Sequence, residues 1–299
     1  KESLKEASEK WSRLRQETKR MAATGRVDLR PKTAFNDLIV SNLSMQPILS
    51  EKLNKSQLEA VLHEAGPLMI IAGAGSGKTH TLTTKIRYLV EKGVDPQSIL
   101  AITFTNKAAR EMRERLSGLG DKMWIATFHA FGARILRAEA RHFERGLDFT
   151  IFDDSDQASL IKKIIKKLNI EKSEKYAPAP ISYMISKVKN SNLRDADPIM
   201  DQIYKEYEEA LQKNNAFDFD DLILKPLEVF QKDEVVLEKY RRKFKYVLVD
   251  EFQDTSSTQY KLVKLLAFEH RNLTIVGDDA QSIYSWRHAD YRIFLNFEK

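Results

Sequence analysis

Ten residues, AGAGSGKTHT at Ala72–Thr81, come directly after the apolar run LMII at Leu68–Ile71. Glycines at 73, 75 and 77 let successive backbone N–H groups turn inward on an anion. Lys78 is placed to reach the outer phosphates of a nucleoside triphosphate, and the Thr79 hydroxyl suits Mg²⁺. An amphipathic helix is expected next, with Leu82, Ile86 and Leu89 on one face and Gly93 at its end. Its positive end then points at the same anion. The strict pattern has glycine where this chain has Ala72, and a small residue still fits there. Ala74, Gly75, Ser76, Gly77, Lys78, Thr79 and His80 are therefore the candidate nucleotide contacts.

A phosphate grip needs an acidic second half to use the nucleotide. YVLVDE at 246–251 supplies it: Asp250 to hold the water shell of Mg²⁺, and Glu251 to orient or deprotonate an attacking water. Adjacent carboxylates with Mg²⁺ point to hydrolysis of the γ-phosphate, because transfer to an acceptor requires only positioning of that acceptor. ATP and Mg²⁺ are the implied ligands, with Thr79 and Asp250 holding the metal largely through water.

These residues need a scaffold that gathers strand ends. The runs LMIIA (68–72), ILAITFT (99–105), MWIATF (123–128), YVLVDE (246–251) and LTIVGD (273–278) are short, apolar and bounded by polar residues. Strands buried on both faces read this way, so the expected fold is α/β: a P-loop domain with a central parallel sheet flanked by helices. Ligands in such sheets collect at the carboxyl ends of the strands. Between the third and fourth runs the chain reads mostly as helix, apart from a strand signal at FTIFD (149–153). Asp153, Asp154 or Ser155 can cap a helix with an apolar stripe at Leu160, Ile161, Ile164, Ile165 and Leu168. Lys162, Lys163, Lys166 and Lys167 fall on its opposite face, read as a solvated surface with contact to duplex DNA as the alternative. The division expected is an accessory helical segment over 1–50, the sheet domain over 51–140 and 215–299, and a helical insertion over 141–214. In the first segment Leu4, Trp11, Leu14 and Thr18 suggest an amphipathic helix to about Arg20, and Pro31 and Pro47 punctuate a less regular stretch after it.

Composition narrows the classes. The chain has 299 residues, 42% of them hydrophobic, and a formal net charge of +6. Its pI near 9.2 makes nucleic acid a reasonable partner. With no cysteine, a disulfide scaffold, a cysteine nucleophile and a zinc ribbon are excluded. The six histidines show no ligand spacing. Without a signal peptide or long apolar span, a monomeric cytoplasmic protein is expected.

Several stretches then line up in order: LNKSQ (53–57), AITFTNKAAREM (101–112), ATFHAFGARIL (126–136), FDFDDLI (217–223), VLVDEFQDT (247–255) and VGDDAQSIYSWR (276–287). Over residues 51–299 the chain resembles the first half of the superfamily 1 DNA helicases of the Rep, UvrD and PcrA type. The resemblance implies that Gln57 reads the adenine edge, that Gln253 helps organise water and metal, and that Gln281 senses the γ-phosphate. It implies single-stranded DNA and single–double-strand junctions as partners, with 3′→5′ polarity. Phe104, Tyr284 and Trp286, with Lys107 and Arg287 beside them, also make physical sense as a path of stacking faces and backbone-following cations. By analogy Thr105, Asn106, Thr127 and His129 line the same path. His288 stands where family members commonly carry glycine. Asp218, Asp220 and Asp221 are read as capping and positioning a helix rather than as catalytic.

No motif of a second RecA-like domain precedes Lys299, so the fragment alone is expected to bind ATP weakly, hydrolyse it poorly and not unwind DNA. Alternatives are a P-loop kinase, a subunit of a helicase–nuclease complex, and a recruitment module with residues 1–50 as docking arm. The aromatic SIYSWR stretch argues against the kinase.

Overall fold

The computed structural model describes residues 26–28, 53–143, 145–170, 174–191 and 197–278. The amphipathic helix expected up to Arg20 lies outside the described residues. Eight strands occur among them: β1 (Arg26–Asp28), β2 (Leu68–Ile71), β3 (Ile99–Thr103), β4 (Trp124–Thr127), β5 (Thr150–Ile151), β6 (Ala216–Phe217), β7 (Tyr246–Val249) and β8 (Leu273–Gly277). Six of them form one parallel sheet in the order β1-β2-β8-β7-β3-β4. Every residue of β2, β3 and β8 is buried, as their unbroken apolar runs predict. Register places Ile71 beside Gly277 and Val249 beside both Ile102 and Ile275, so the ends of β2, β8, β7 and β3 fall within two residues of one another. The strand at β1 is not expected from the sequence. Its three residues are too few to show a period, and pairing with β2 defines it.

The chain divides into two compact units, one of residues 1–127 and 237–299, the other of 128–236. In the first, α1 (Lys55–Leu62), α2 (Lys78–Glu91) and α3 (Asn106–Arg115) cover one face of the sheet. Their Ala60, Leu82, Ile86, Leu89, Ala109 and Met112 bury against Leu68, Ile70, Ile99, Ala101, Leu248 and Val276. Alternate strand residues thus meet helices at 3.6-residue spacing.

The second unit holds α4 (Phe128–Ala138), α5 (Asp154–Lys167), α6 (Pro178–Ser191), α7 (Pro198–Lys213) and α8 (Asp221–Lys232), with α9 (Glu234–Lys243) beginning in it. The 141–214 span falls wholly inside this unit. Helices α4 and α8 belong to it as well, because they pack backbone to backbone: a Cβ at Gly132 would stand 1.7 Å from the Leu222 carbonyl oxygen. Strands β5 and β6 pair in parallel. Asp153 caps α5, accepting from the N–H groups of Ser155 and Asp156 at 2.8 and 3.0 Å. The stripe of α5 meets Ile181 and Ile185 of α6 and Ile203, Tyr207 and Leu211 of α7 in a separate core. Lys162, Lys163, Lys166 and Lys167 are exposed. Among the described residues the first unit ends its helices with α10 (Ser257–Ala267), which packs on β7 and β8. No helix among the described residues is long and apolar enough to cross a membrane.

Candidate nucleotide site and nucleic-acid surface

The loop between β2 and α2 takes the shape its glycines permit. Gly75 and Gly77 adopt φ of 71° and 85°, the left-handed region that side chains disfavour. Ser76 closes the turn, its Oγ donating to the Gly73 carbonyl at 2.6 Å. Gly77 is the N-cap of α2 and offers no side-chain cap, so the first N–H groups of α2 are left to an anion. Lys78 is buried on this first turn, with its Nζ 3.9 Å from Glu251 Oε2.

The acid pair arrives on β7. Asp250 is buried and its N–H continues the ladder to Ile102. Burial and the neighbouring Glu251 charge push its carboxyl up to about 6, against the opposing pull of the Glu251 N–H, Lys78 and the Thr79 hydroxyl. Glu251 sits in the left-handed region at φ 50°, a strain of roughly 1–2 kcal/mol that turns its side chain toward Lys78. Gln253 donates to Glu251 Oε2 at 2.8 Å and accepts from the Asp278 N–H at 3.1 Å, tying the end of β7 to the end of β8. Thr79, Asp250 and Glu251 present only oxygen ligands. That set fits a hard cation such as Mg²⁺, which keeps most of its waters and needs few protein ligands. Asp254 escapes sequence reasoning. Its Oδ1 is buried without a hydrogen-bond partner, and burial with the Glu251 charge pushes its carboxyl up to about 6.

Gln57 lies in the first turn of α1, locked in a capping box with Asn54. Its Oε1 accepts from the Asn54 N–H and its Nε2 donates to the Ser76 carbonyl, each at 2.9 Å. An amide has two donors and two lone pairs, so one of each remains for a base edge. The other end of α1 is held by Lys85 of α2, a residue whose type predicts a surface position. Its Nζ is buried and donates to the carbonyls of Ala60 (3.1 Å) and His63. Burial pulls its pKa down to about 7, with Glu64 pulling it partly back. An unfolded lysine keeps its proton to about pH 10.4. Between the two values the unfolded chain binds more protons, so the contribution of Lys85 to stability rises with pH, by up to about 1.4 kcal/mol per unit. Urea midpoints from pH 7 to 9.5 should therefore rise for the parent relative to Lys85→Met. A constant difference between the two would refute a depressed Lys85.

The expected nucleic-acid residues fall in two places. In the first unit Phe104 is half-buried just past β3, and Thr105, Asn106 and Lys107 are exposed. The Thr105 hydroxyl caps α3, accepting from the Ala108 N–H at 3.0 Å. Thr127 is buried at the end of β4. In the second unit His129 is exposed and its ring meets Phe219 edge-on, 5.8 Å between centroids. Phe219 is 44% exposed. Sequence reasoning passes over it because it stands among carboxylates; the signal that could find it is the one that marks Phe104, an aromatic just past a strand. Asp218 holds the start of α8, accepting from the Asp221 N–H at 2.9 Å, while Asp220 at the N-cap makes no side-chain cap. Gln281, Tyr284, Trp286, Arg287 and His288 lie outside the described residues.

Comparison with known proteins agrees with this arrangement. The family described as the UvrD/REP helicase N-terminal domain matches residues 53–299. The ATP-dependent DNA helicase PcrA of Staphylococcus aureus is 47% identical over 266 residues, covering 84% of this chain and 36% of that protein. The Bacillus subtilis protein of the same name is 46% identical over 262 residues, 83% of this chain and 35% of its own length. This chain thus spans about a third of the length of these relatives. With a family match over most of its length and the P-loop and acid pair both at the carboxyl ends of strands, the chain belongs to the UvrD/REP helicase family.

Proposed function

We propose that this chain supplies the ATP-gripping and strand-contacting part of an ATP-dependent 3′→5′ DNA helicase of the cytoplasm. The observation that carries the reading is the convergence of Lys78 and Thr79, which follow β2, with Asp250 and Glu251, which follow β7 on the other side of β8. The loop N–H groups and Lys78 bind the β- and γ-phosphates. Thr79 and Asp250 would hold Mg²⁺, largely through water, and the ion would supply neutralisation of the charge that develops on the phosphates. Glu251, 37% exposed, is open to an attacking water and takes its proton, while Gln253 fixes the carboxylate. The free donor and acceptor of Gln57 read the adenine. Phe104 and Lys107, with Tyr284, Trp286 and Arg287, contact the single strand; Thr105, Asn106 and Thr127 border them, and the exposed His129–Phe219 pair offers a further face. Gln281 relays the presence of γ-phosphate to the strand.

The test titrates this chain with a fluorescent ATP analogue in Mg²⁺ and with labelled oligo-dT. Binding of both is expected, with oligonucleotide affinity falling as salt rises. Failure to bind oligo-dT at low salt would overturn the single-strand assignment.

A further inference from the structure

The turn FDFDD at 217–221 reverses the usual arrangement of its residue types. Asp218 and Asp221 are buried, while Phe219 between them stands 44% exposed. Charged groups are almost never fully buried unless paired, and a phenylalanine gains by leaving water. Contacts from α6 and α7 account for the reversal. Lys189 of α6, its side chain 3% exposed, places Nζ 2.8 Å from Asp218 Oδ2, 2.9 Å from Asp221 Oδ1 and 2.9 Å from Glu208 Oε1. Its neighbour Asn190 donates to Asp220 Oδ1 at 2.8 Å. From α7 the Tyr207 hydroxyl donates to Asp218 Oδ2 at 3.0 Å and accepts from Gln157 Nε2 at 3.0 Å.

We propose that the Lys189–Asn190 pair positions Phe219: by drawing all three flanking carboxylates inward, it forces the ring outward beside His129 as a face for an unpaired base. The inference rests on the single-strand reading of this protein. A buried ion cluster is weak evidence for stability, since apolar residues of the same volume often serve as well or better. Its use here is geometric. Pinned on both sides, Phe219 has no route into the core, and the ring is held where a base can stack without first ordering it. Burial and its acidic neighbours raise the Asp221 carboxyl to about 6, against the pull of Lys189.

The experiment is a double-mutant cycle read by oligo-dT affinity, using this chain and the variants Phe219→Ala, Lys189→Met/Asp218→Asn/Asp221→Asn, and their combination. The triple change removes the Lys189 charge together with those of the two aspartates and leaves the Glu208 carboxylate, 28% exposed, to water, and binding of the fluorescent ATP analogue with an unchanged circular dichroism spectrum confirms folding. Phe219→Ala should weaken oligo-dT binding roughly five- to hundred-fold, the loss of one base–aromatic stack. The cluster variant should show a comparable loss, and the combination should bind no more weakly than either alone. A merely structural cluster would give losses that multiply. A folded cluster variant that binds like the parent, or multiplying losses, overturns the positioning role. Parent-like binding by Phe219→Ala alone instead sinks the stacking reading of that ring. If the triple variant does not fold, Asn190→Ala enters the same cycle: a loss that does not add to that of Phe219→Ala supports the proposal, and unchanged affinity overturns it.

Discussion

Replacing Lys78 with alanine should weaken binding of the ATP analogue by about 10- to 150-fold, the equivalent of one or two charge-assisted hydrogen bonds at roughly 1.5–3 kcal/mol. Two effects add at this position. The cation that reaches the outer phosphates is lost from the first turn of α2. The Asp250 and Glu251 carboxylates also lose the positive charge that faces them, Glu251 at 3.9 Å, and so repel an incoming triphosphate more strongly. Oligo-dT binding should persist, because none of Phe104, Lys107, His129 or Phe219 depends on Lys78. Nucleotide titration beside oligonucleotide anisotropy checks both halves. An analogue affinity within twofold of the parent would remove Lys78 from the phosphate contacts.

The second large effect should separate binding from hydrolysis. Glu251→Gln keeps the size of the side chain and an oxygen for Gln253 to donate to, but it removes the group that accepts the proton of the attacking water. General-base loss costs about 10²–10⁴ in rate. Nucleotide affinity should hold or improve, since the like charge beside Asp250 disappears and Asp250 ionises more easily. Single-turnover hydrolysis, set against nucleotide titration of the same variant, makes the comparison. A rate within tenfold of the parent would assign the base elsewhere, and the buried Asp254 would then be the next residue to change.

Much of the first unit is legible in the sequence. β2, β3, β4, β7 and β8 announce themselves because strands buried on both faces must be apolar throughout. The phosphate loop is equally plain, since its glycines, lysine and threonine act within one contiguous turn. β1 is not legible: Arg-Val-Asp carries no period, and its strand character comes from the edge of β2 that it pairs with. Lys85 reads as a surface lysine until α1 closes over it and offers the carbonyls of Ala60 and His63.

The sequence alone thus determined the local chemistry: an anion-binding turn, an acid pair after an apolar strand, and a parallel α/β scaffold to carry them. Tertiary structure decided which distant groups share that chemistry. Only the register of β2, β8 and β7 brings Thr79 to Asp250 and Gln253 to Asp278. Only α6 and α7 decide that Asp218 turns in and Phe219 out. The physical reason is the same in each case. Whether a side chain is buried, charged or presented depends on the free energy of its partners, and those partners come from segments far along the chain that no local spacing records.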